Sequence, residues 1–212
     1  MTAATSGVAQ AYDPDRIAAR RQAVAATVDR IRAIEAELGV NQAALDAIQT
    51  ELRELATRKD LFSPAEFPNP EPGTPARLYL LSEDEDGRFP LYLTCAAPGG
   101  AVRPHNHGVW AVVAGLDGVE ENFFYDREAG GLEPGPARIA LRKSVRVGEG
   151  ESIGLLPDAI HSVATTGDVP RRHFHMYGLS LERLPKRLAY DTATETCAYM
   201  EINPKIVRVA HA

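Results

Sequence analysis

Apolar residues recur at helical spacing in two stretches near the start of the chain. In the first, an N-cap at Asp13 and a proline at the first helical position precede an apolar series that ends before Gly39; its members are Ile17, Val24, Val28, Ile31 and Leu38. Asn41 can cap a second helix, whose apolar stripe is Leu45, Ile48, Leu52 and Leu55. Because both stripes are narrow, the pattern predicts a helical hairpin that lies on a sheet or on a second subunit of a homo-oligomer.

Residues 1–60 thus form a predicted helical segment, and a proline-rich connector follows over 61–76. Its prolines lack a backbone donor and fix their own φ, so this stretch is neither regular helix nor central strand. They are Pro64, Pro68, Pro70, Pro72 and Pro75. We predict a stiff connector between the helical segment and the rest of the chain.

Beyond the connector, residues 77–212 show short apolar runs separated by turns such as Asp86-Gly87 and Asp117-Gly118. No helical pattern separates these runs, which argues against a parallel sheet with crossover helices. The pattern instead favours one domain built as an antiparallel sandwich or barrel. The runs predict strands over 76–82, 88–97, 110–114, 119–125, 137–143, 152–156, 160–165 and 172–177.

The composition is ordinary for a globular protein, and it narrows the classes of partner. A formal net charge of −6 lacks the basic footprint of a nucleic-acid binder. No apolar run reaches the roughly 18 residues of a membrane span, and the first residues carry no secretory signal. Two cysteines, Cys95 and Cys197, do not make a disulfide framework. We therefore expect a cytoplasmic protein with reduced thiols and with neither nucleic-acid nor membrane partners.

Histidines cluster in the strand-rich part of the chain. His105 and His107 are two residues apart, a spacing that aims two side chains to one face of a strand, as two ligands of one metal require. A lone pair of this kind is more often structural, but both this pair and His161 stand where a turn enters an apolar run. We therefore predict that His105, His107 and His161 form a ligand set, since neutral imidazoles bind a divalent metal without releasing many protons.

The sequence around these histidines resembles the two motifs of the cupin superfamily. The first motif, a Gly followed by H-x-H and a later Gly, is similar to residues 100–115, and the second, a Gly and Pro turn before a His, is similar to residues 154–161. The carboxylate of the first motif is missing, because Ala111 and Val112 occupy its region. The resemblance implies a mainly β fold, the double-stranded β-helix (jelly-roll) barrel, with the N-terminal helical hairpin added to it. It also leaves the three histidines as the protein ligands.

The absence of that carboxylate is typical of one cupin branch, the thiol dioxygenases, which includes cysteine and 3-mercaptopropionate dioxygenases. Residues 172–177 resemble the Ser-x-His-x-Tyr strand of this branch, with His175 and Tyr177 matching and His173 in the Ser position. The resemblance implies an Fe(II) cofactor that oxidises a small thiol with O2 to its sulfinate. It also implies that Tyr177 donates to bound oxygen while His175 orients the hydroxyl. Val112 stands where animal cysteine dioxygenases carry a cross-linked Cys, so we predict no cross-link.

The same resemblance implies that a cation binds the substrate carboxylate, and it leaves the position open. Tyr79 falls near the equivalent of the arginine used by cysteine dioxygenases, and Arg77 lies two residues earlier on the same strand face. Mercaptopropionate enzymes use an arginine after a proline that follows the Tyr strand, and Lys186 and Arg187 follow Pro185 here. We take Arg77 and Lys186 as the candidate substrate-binding residues, with Arg187 as a further cation.

Two other functions fit the same residues. One is a cupin metalloenzyme that acts on a non-thiol small molecule, with Fe, Mn, Ni or Zn in the histidine cage, because imidazole suits all of these metals. The other is a non-catalytic barrel that binds a metal or a small molecule while the N-terminal helices dock a partner. Oxygen uptake across a panel of thiols separates these functions from thiol oxidation.

Overall fold

The computed structural model describes residues 13–71, 73–74, 76–130, 133–201 and 206–209. Expectations for residues 1–12, Pro72 and Pro75 lie outside the described residues. Within the described residues there are two α-helices, α1 over Pro14–Leu38 and α2 over Gln42–Thr57. The strands β1 to β12 span Ala76–Ser82, Leu91–Ala96, Ala101–His105, Ala111–Asp117, Glu120–Gly130, Gly135–Val147, Ser152–Leu155, Ile160–Thr165, Arg171–Tyr177, Leu188–Asp191, Thr196–Tyr199 and Ile206–Arg208.

The helices begin and end where local chemistry places their caps. The Asp13 carboxylate accepts from the backbone N–H of Asp15 at 3.0 Å, and α1 starts at the following proline. At its end, Gly39 has a φ of 71° and donates its N–H to the Glu35 carbonyl, closing the last turn. Asn41 caps α2 by accepting from the Ala44 N–H at 3.0 Å. The predicted helical hairpin is confirmed.

Both helices bury their apolar stripes against the first of two β-sheets. Ile31 of α1 and Leu52 of α2 are fully buried in a core that also contains Val112 of β4 and Phe174 of β9. Gly154 of β7 lies under α2, because a Cβ at this position would come within 2.9 Å of the Leu45 side chain. The helical hairpin therefore packs on a sheet of its own chain, as the first predicted alternative has it. Contact of the hairpin with a second subunit remains a prediction.

Within the described chain, the strands form two sheets. The first has the order β12-β1-β2-β9-β4-β7, and the second, β10-β11-β6-β5-β8-β3, closes on itself. All neighbours are antiparallel except β1 and β12. The eight central strands are divided equally between the sheets. The first sheet contains β2, β9, β4 and β7 in this order, and the second contains β3, β8, β5 and β6. This is the strand order of a jelly roll. It confirms the predicted double-stranded β-helix.

Several strand boundaries differ from the sequence prediction for physical reasons. β5 continues beyond its predicted run to Gly130, and β6 begins at Gly135, so the two strands end in an exposed hairpin whose polar residues give no apolar pattern. β6 also continues past residue 143 to the buried Val147. β3, β10, β11 and β12 were not predicted because they are short or largely polar, and β3 contains Pro104. The register between β3 and β8 shifts between Val102 and His105, so the proline lies at an irregularity where it breaks no regular ladder.

None of the described helices combines the length and the apolar character that crossing a membrane requires. Cys95 and Cys197 are both free and buried. Burial raises the pKa of the Cys95 thiol to about 12, so it remains a neutral thiol in the apolar core. The connector joins this core as well, because Phe62 and Phe67 are fully buried.

Candidate metal centre

The structure brings the three predicted ligands together between the two sheets. His105 is the last residue of β3, and it lies directly opposite His161 of β8 in the strand register. His107 follows beyond the strand end, so its ring reaches the site through a turn and not through the strand alternation that the sequence predicted. One nitrogen from each ring lies within 4.8 Å of the others, and all three residues are buried.

Hydrogen bonds determine which nitrogen of two of these rings faces the site. Nδ1 of His105 lies 2.9 Å from the Arg103 carbonyl, which can only accept, so Nδ1 carries the proton. Nδ1 of His161 lies 3.0 Å from Oδ1 of Asn122. The Asn122 amide is oriented because its Nδ2 donates to Glu120 at 2.9 Å, which leaves Oδ1 to accept from His161. In both rings, Nε2 is therefore left with a free lone pair.

These lone pairs fit a transition-metal ion. Nε2 of His161 is buried without a hydrogen-bond partner, and Nε2 of His105 lies 3.2 Å from Nε2 of His107. Two imidazole nitrogens that each lie about 2.1 Å from one ion, at an angle near 100°, are separated by about 3.2 Å. The distance between His105 and His107 thus matches two adjacent ligands of one ion. The same ion would bind Nε2 of His161, which otherwise has no partner.

Burial keeps the rings in the state that binds metal. Desolvation lowers the pKa of His105 and His107 well below the ordinary 6.5, and it lowers the pKa of His161 to about 4. All three imidazoles are consequently neutral near pH 7, and a divalent cation can bind them without displacing ring protons.

The described residues that line the site include no carboxylate. The Glu120 carboxylate is connected to His161 by hydrogen bonds, but only through Asn122, which lies between the two side chains. Ala111 and Val112, which replace the motif carboxylate, are both fully buried in β4, and Val113 is the β4 residue that faces the site. An ion held here would keep its full charge, because none of its protein ligands is anionic.

His175 and Tyr177 face the same space from β9. Nδ1 of His175 lies 3.2 Å from the Tyr177 hydroxyl, and the Tyr177 ring centroid lies 5.3 Å from that of His107. Burial raises the pKa of Tyr177 and lowers the pKa of His175 to about 3, so both side chains are neutral near pH 7. The structure brings these two residues to the histidine cage, while their catalytic roles remain predictions.

A buried ionic cluster behind the cage was missed by the sequence analysis. Glu120 lies 2.9 Å from Nε of Arg171 and 3.5 Å from Nδ1 of His173, and its side chain is completely buried. Burial alone would raise the pKa of Glu120, but the charge of Arg171 and the contact with His173 outweigh it and hold that pKa well below its usual range. Glu120 and Asn122 alternate with Phe124 on the inward face of a predicted strand, and polar residues at such core positions are the signal that could have found them.

The structure places the candidate cations differently from the sequence prediction. Arg77 is on the face of β1 opposite the site, because only its neighbours Ala76 and Leu78 line the cavity, and its guanidinium donates to the Tyr79 hydroxyl at 3.4 Å. Lys186 is exposed and does not line the cavity either. Arg187 does line it, and burial lowers the pKa of its guanidinium. Of the three cations, Arg187 alone faces the histidines.

The histidines lie at one end of a cavity of about 230 Å³ between the sheets. Its walls are largely apolar, and the partly exposed residues Leu78, Ala101 and Val102 mark where it meets the surface. Fold and site together define a jelly-roll protein with a buried cluster of three histidines that could hold a metal ion.

The sequence matches no family model and no curated protein. Among solved structures, the chain is similar to a cupin superfamily protein from Desulfitobacterium hafniense, at 13% identity over 59% of this chain and 88% of that chain, with a TM-score of 0.40. It is also similar to oxalate decarboxylase from Bacillus subtilis, a protein with Mn(II) centres, at 16% identity over 44% of this chain and 22% of that chain, with a TM-score of 0.34. KdgF from a Halomonas species is 9% identical over 54% of this chain and 91% of its own, with a TM-score of 0.39.

Proposed function

We propose that this protein is a non-haem iron dioxygenase that oxidises a small thiol to its sulfinate. The observation that carries the proposal is the cage of three buried, neutral imidazoles with no carboxylate among them. In the reaction, both atoms of O2 become bonded to the sulfur of the thiol. The sulfur supplies the electrons that reduce both oxygen atoms, so the reaction needs no further reductant.

His105, His107 and His161 would hold the iron through their ring nitrogens. Bound there, Fe(II) supplies the Lewis acidity that converts a thiol to a thiolate at neutral pH and the redox chemistry that O2 requires. A ligand set without negative charge favours an anionic substrate, because the substrate then balances the charge of the cation. The donor set therefore supports a thiolate over a neutral substrate.

The remaining side chains of the site position the reactants. Nδ1 of His175 lies 3.2 Å from the Tyr177 oxygen. In the tautomer that carries its proton on Nδ1, His175 donates to this oxygen and leaves the hydroxyl proton of Tyr177 free to point into the cavity. Because burial raises the pKa of Tyr177, the hydroxyl keeps this proton near pH 7. Arg187 binds the substrate carboxylate, and the apolar walls exclude water from the reacting groups. This assignment replaces Arg77 and Lys186 with Arg187.

The proposal is tested by loading the purified protein with Fe(II) without oxygen and then measuring O2 consumption with cysteine, 3-mercaptopropionate and cysteamine. We expect O2 uptake that depends on a thiol, together with a product whose mass has increased by two oxygen atoms. Retention of iron with no consumption of any thiol would contradict the proposal. Turnover of a non-thiol compound would then point to another metalloenzyme, and tight binding without turnover would point to a binding barrel.

The free, buried cysteines support a location for this activity. Neither Cys95 nor Cys197 forms a disulfide, and thiols persist in a reducing compartment. We propose a cytoplasmic location, which agrees with these reduced thiols.

A further inference from the structure

The cavity is longer than a small thiol needs. Its lining includes both Ala101 and His105 of β3, and both Thr165 and His161 of β8. Each pair is separated by four residues, so the cavity runs about 13 Å along the strands at about 3.3 Å per residue. By ordinary bond geometry, a three-carbon mercapto acid spans roughly 5 Å, which leaves roughly 8 Å of the cavity unfilled.

Most of the lining beyond the histidine cage is apolar. Val102 and Val163 face each other in the register between β3 and β8, halfway along the cavity. Ala96 and Leu78 of the first sheet also line this stretch, together with Thr94, whose Oγ1 is buried without a hydrogen-bond partner. Most of these walls offer no partner to a polar substituent, which would lose its hydration there, whereas an alkyl substituent gains from leaving water.

The charged groups show which end of the cavity receives the carboxylate. Arg187 lies at the cage end, because its Nε is 3.5 Å from the carbonyl of Asn106, the residue between two of the histidines. No described acidic residue lines the cavity to pair with it. At the far end, Nε of Arg171 is paired with Glu120 at 2.9 Å, while its Nη1 is buried without a hydrogen-bond partner. The Glu120 carboxylate balances the charge of Arg171, whereas no acidic residue of the described lining balances the charge of Arg187. The uncompensated cation is thus near the metal site, and the unfilled length, which is mostly apolar, extends away from both.

From this arrangement we propose that the substrate is a mercapto carboxylate that carries an alkyl substituent of roughly four to six carbons. The inference rests on the proposed function and specifies its substrate class. The thiol and the carboxylate lie close together, at the cage and at Arg187, and the alkyl chain runs between Val102 and Val163 toward Ala101. Because Ala101 is exposed, a longer chain emerges into solvent, and additional carbons bring no further gain.

The experiment compares 3-mercaptopropionate with its homologues that carry ethyl, propyl, butyl and hexyl groups on carbon 3, using iron-loaded protein. We expect kcat/KM to rise by about fourfold per methylene and then to level off, since each buried methylene is stabilised by about that factor. Oxidation of the unsubstituted acid with no gain for its homologues would overturn this inference and leave the proposed function standing. If none of the thiols in the series is oxidised, both this inference and the proposed function are overturned.

A pair of neighbouring variants locates the alkyl chain. Val163→Phe fills the middle of the cavity and should remove the preference for the longer homologues, measured as the ratio of kcat/KM between the hexyl and the unsubstituted acid. Ala164→Phe, whose side chain does not line the cavity, should leave this ratio unchanged. An unchanged ratio in Val163→Phe would contradict the placement.

A binding measurement on the unaltered, metal-loaded protein does not depend on turnover or on the folding of a variant. Alkanoates without sulfur should raise the melting temperature more as the chain lengthens from propanoate to octanoate, because the carboxylate still pairs with Arg187. An equal shift for all chain lengths would show that the apolar length is not used, and would overturn the inference.

Discussion

Nδ1 of His161 donates to Oδ1 of Asn122 across 3.0 Å in the interior between β8 and β5. The amide of Asn122 is held in turn by Glu120 at 2.9 Å, so the ring of His161 is fixed in both rotation and tautomer. Partners of this kind orient a ligating imidazole and raise its basicity. The pair therefore links a buried ionic cluster to the candidate metal site.

Replacing Asn122 should weaken metal binding without removing a ligand. In Asn122→Ala, the His161 ring loses the acceptor that fixes its tautomer, and we expect a loss of roughly 10- to 100-fold in metal affinity. Competition with a chelator near pH 7 measures the change. Glu121→Gln alters the neighbouring residue of β5, whose side chain points away from the site, and serves as the control. Equal affinity in the Asn122 variant and the wild type would show that this contact does not support the site.

Tyr177→Phe should retain iron and lose turnover. The variant removes the hydroxyl that His175 orients at 3.2 Å and leaves all three histidines in place. Losing a hydrogen bond to a charged group costs about 1.5–3 kcal/mol, so we expect a decrease in kcat of roughly 10- to 100-fold. Tyr92→Phe is the matched control, because this buried tyrosine packs 6.0 Å from Tyr177 but does not line the cavity. Full activity in Tyr177→Phe would remove the hydroxyl from the mechanism.

Adjacent cations give a direct test of where the carboxylate binds. Arg187→Ala should raise KM for 3-mercaptopropionate by roughly 10- to 100-fold, because a charged hydrogen bond contributes about 1.5–3 kcal/mol. Activity toward cysteamine, which has no carboxylate, should change much less. Lys186→Ala changes an exposed neighbour and should leave both KM values as in the wild type. A rise in KM for 3-mercaptopropionate in Lys186→Ala and not in Arg187→Ala would instead show that Lys186, which the sequence predicted, binds the carboxylate.

The metal-free protein should lose stability as the pH falls below 7. Desolvation lowers the pKa of His161 from 6.5 to about 4 and that of His175 to about 3. Between pH 6.5 and 4, the unfolded chain therefore binds protons that the folded protein does not, and the free energy of unfolding decreases as the pH falls. Each such histidine contributes up to about 1.4 kcal/mol per pH unit.

Urea unfolding at several pH values between about 7 and 5 measures this dependence. In His175→Gln, the dependence should be shallower, since one titrating group is removed. A free energy of unfolding that is constant over this range in the metal-free protein would show that the histidines are not held neutral by burial.

The sequence predicted the helical hairpin and most of the central strands because the side chains that form them follow a simple period. Val28 and Leu52 are buried at helical spacing, and Phe174 is buried on a predicted strand. The outer parts of β5 and β6 follow no such period. Their backbone hydrogen bonds hold them in a hairpin while both faces remain polar, so only tertiary structure reveals them.

The site was predictable to the extent that its residues lie close in sequence or match a motif. His105 and His107 are near neighbours, and His161 follows a turn of recognisable type. The cation at the cavity was not predictable, because one residue of register decides whether Lys186 or Arg187 points inward. Glu120 and Arg171 are far apart in the chain, and their 2.9 Å contact exists only after the two sheets have packed.

The central claim is that three imidazoles bind one metal ion without a carboxylate, and metal retention tests it most directly. Wild-type protein and the variants His161→Ala and His173→Ala are loaded with Fe(II) in the absence of oxygen, desalted, and analysed for metal. We predict about one iron per chain in the wild type and in His173→Ala, whose ring is buried outside the cage, and almost none in His161→Ala. Iron retained at the wild-type level in folded His161→Ala would contradict the account.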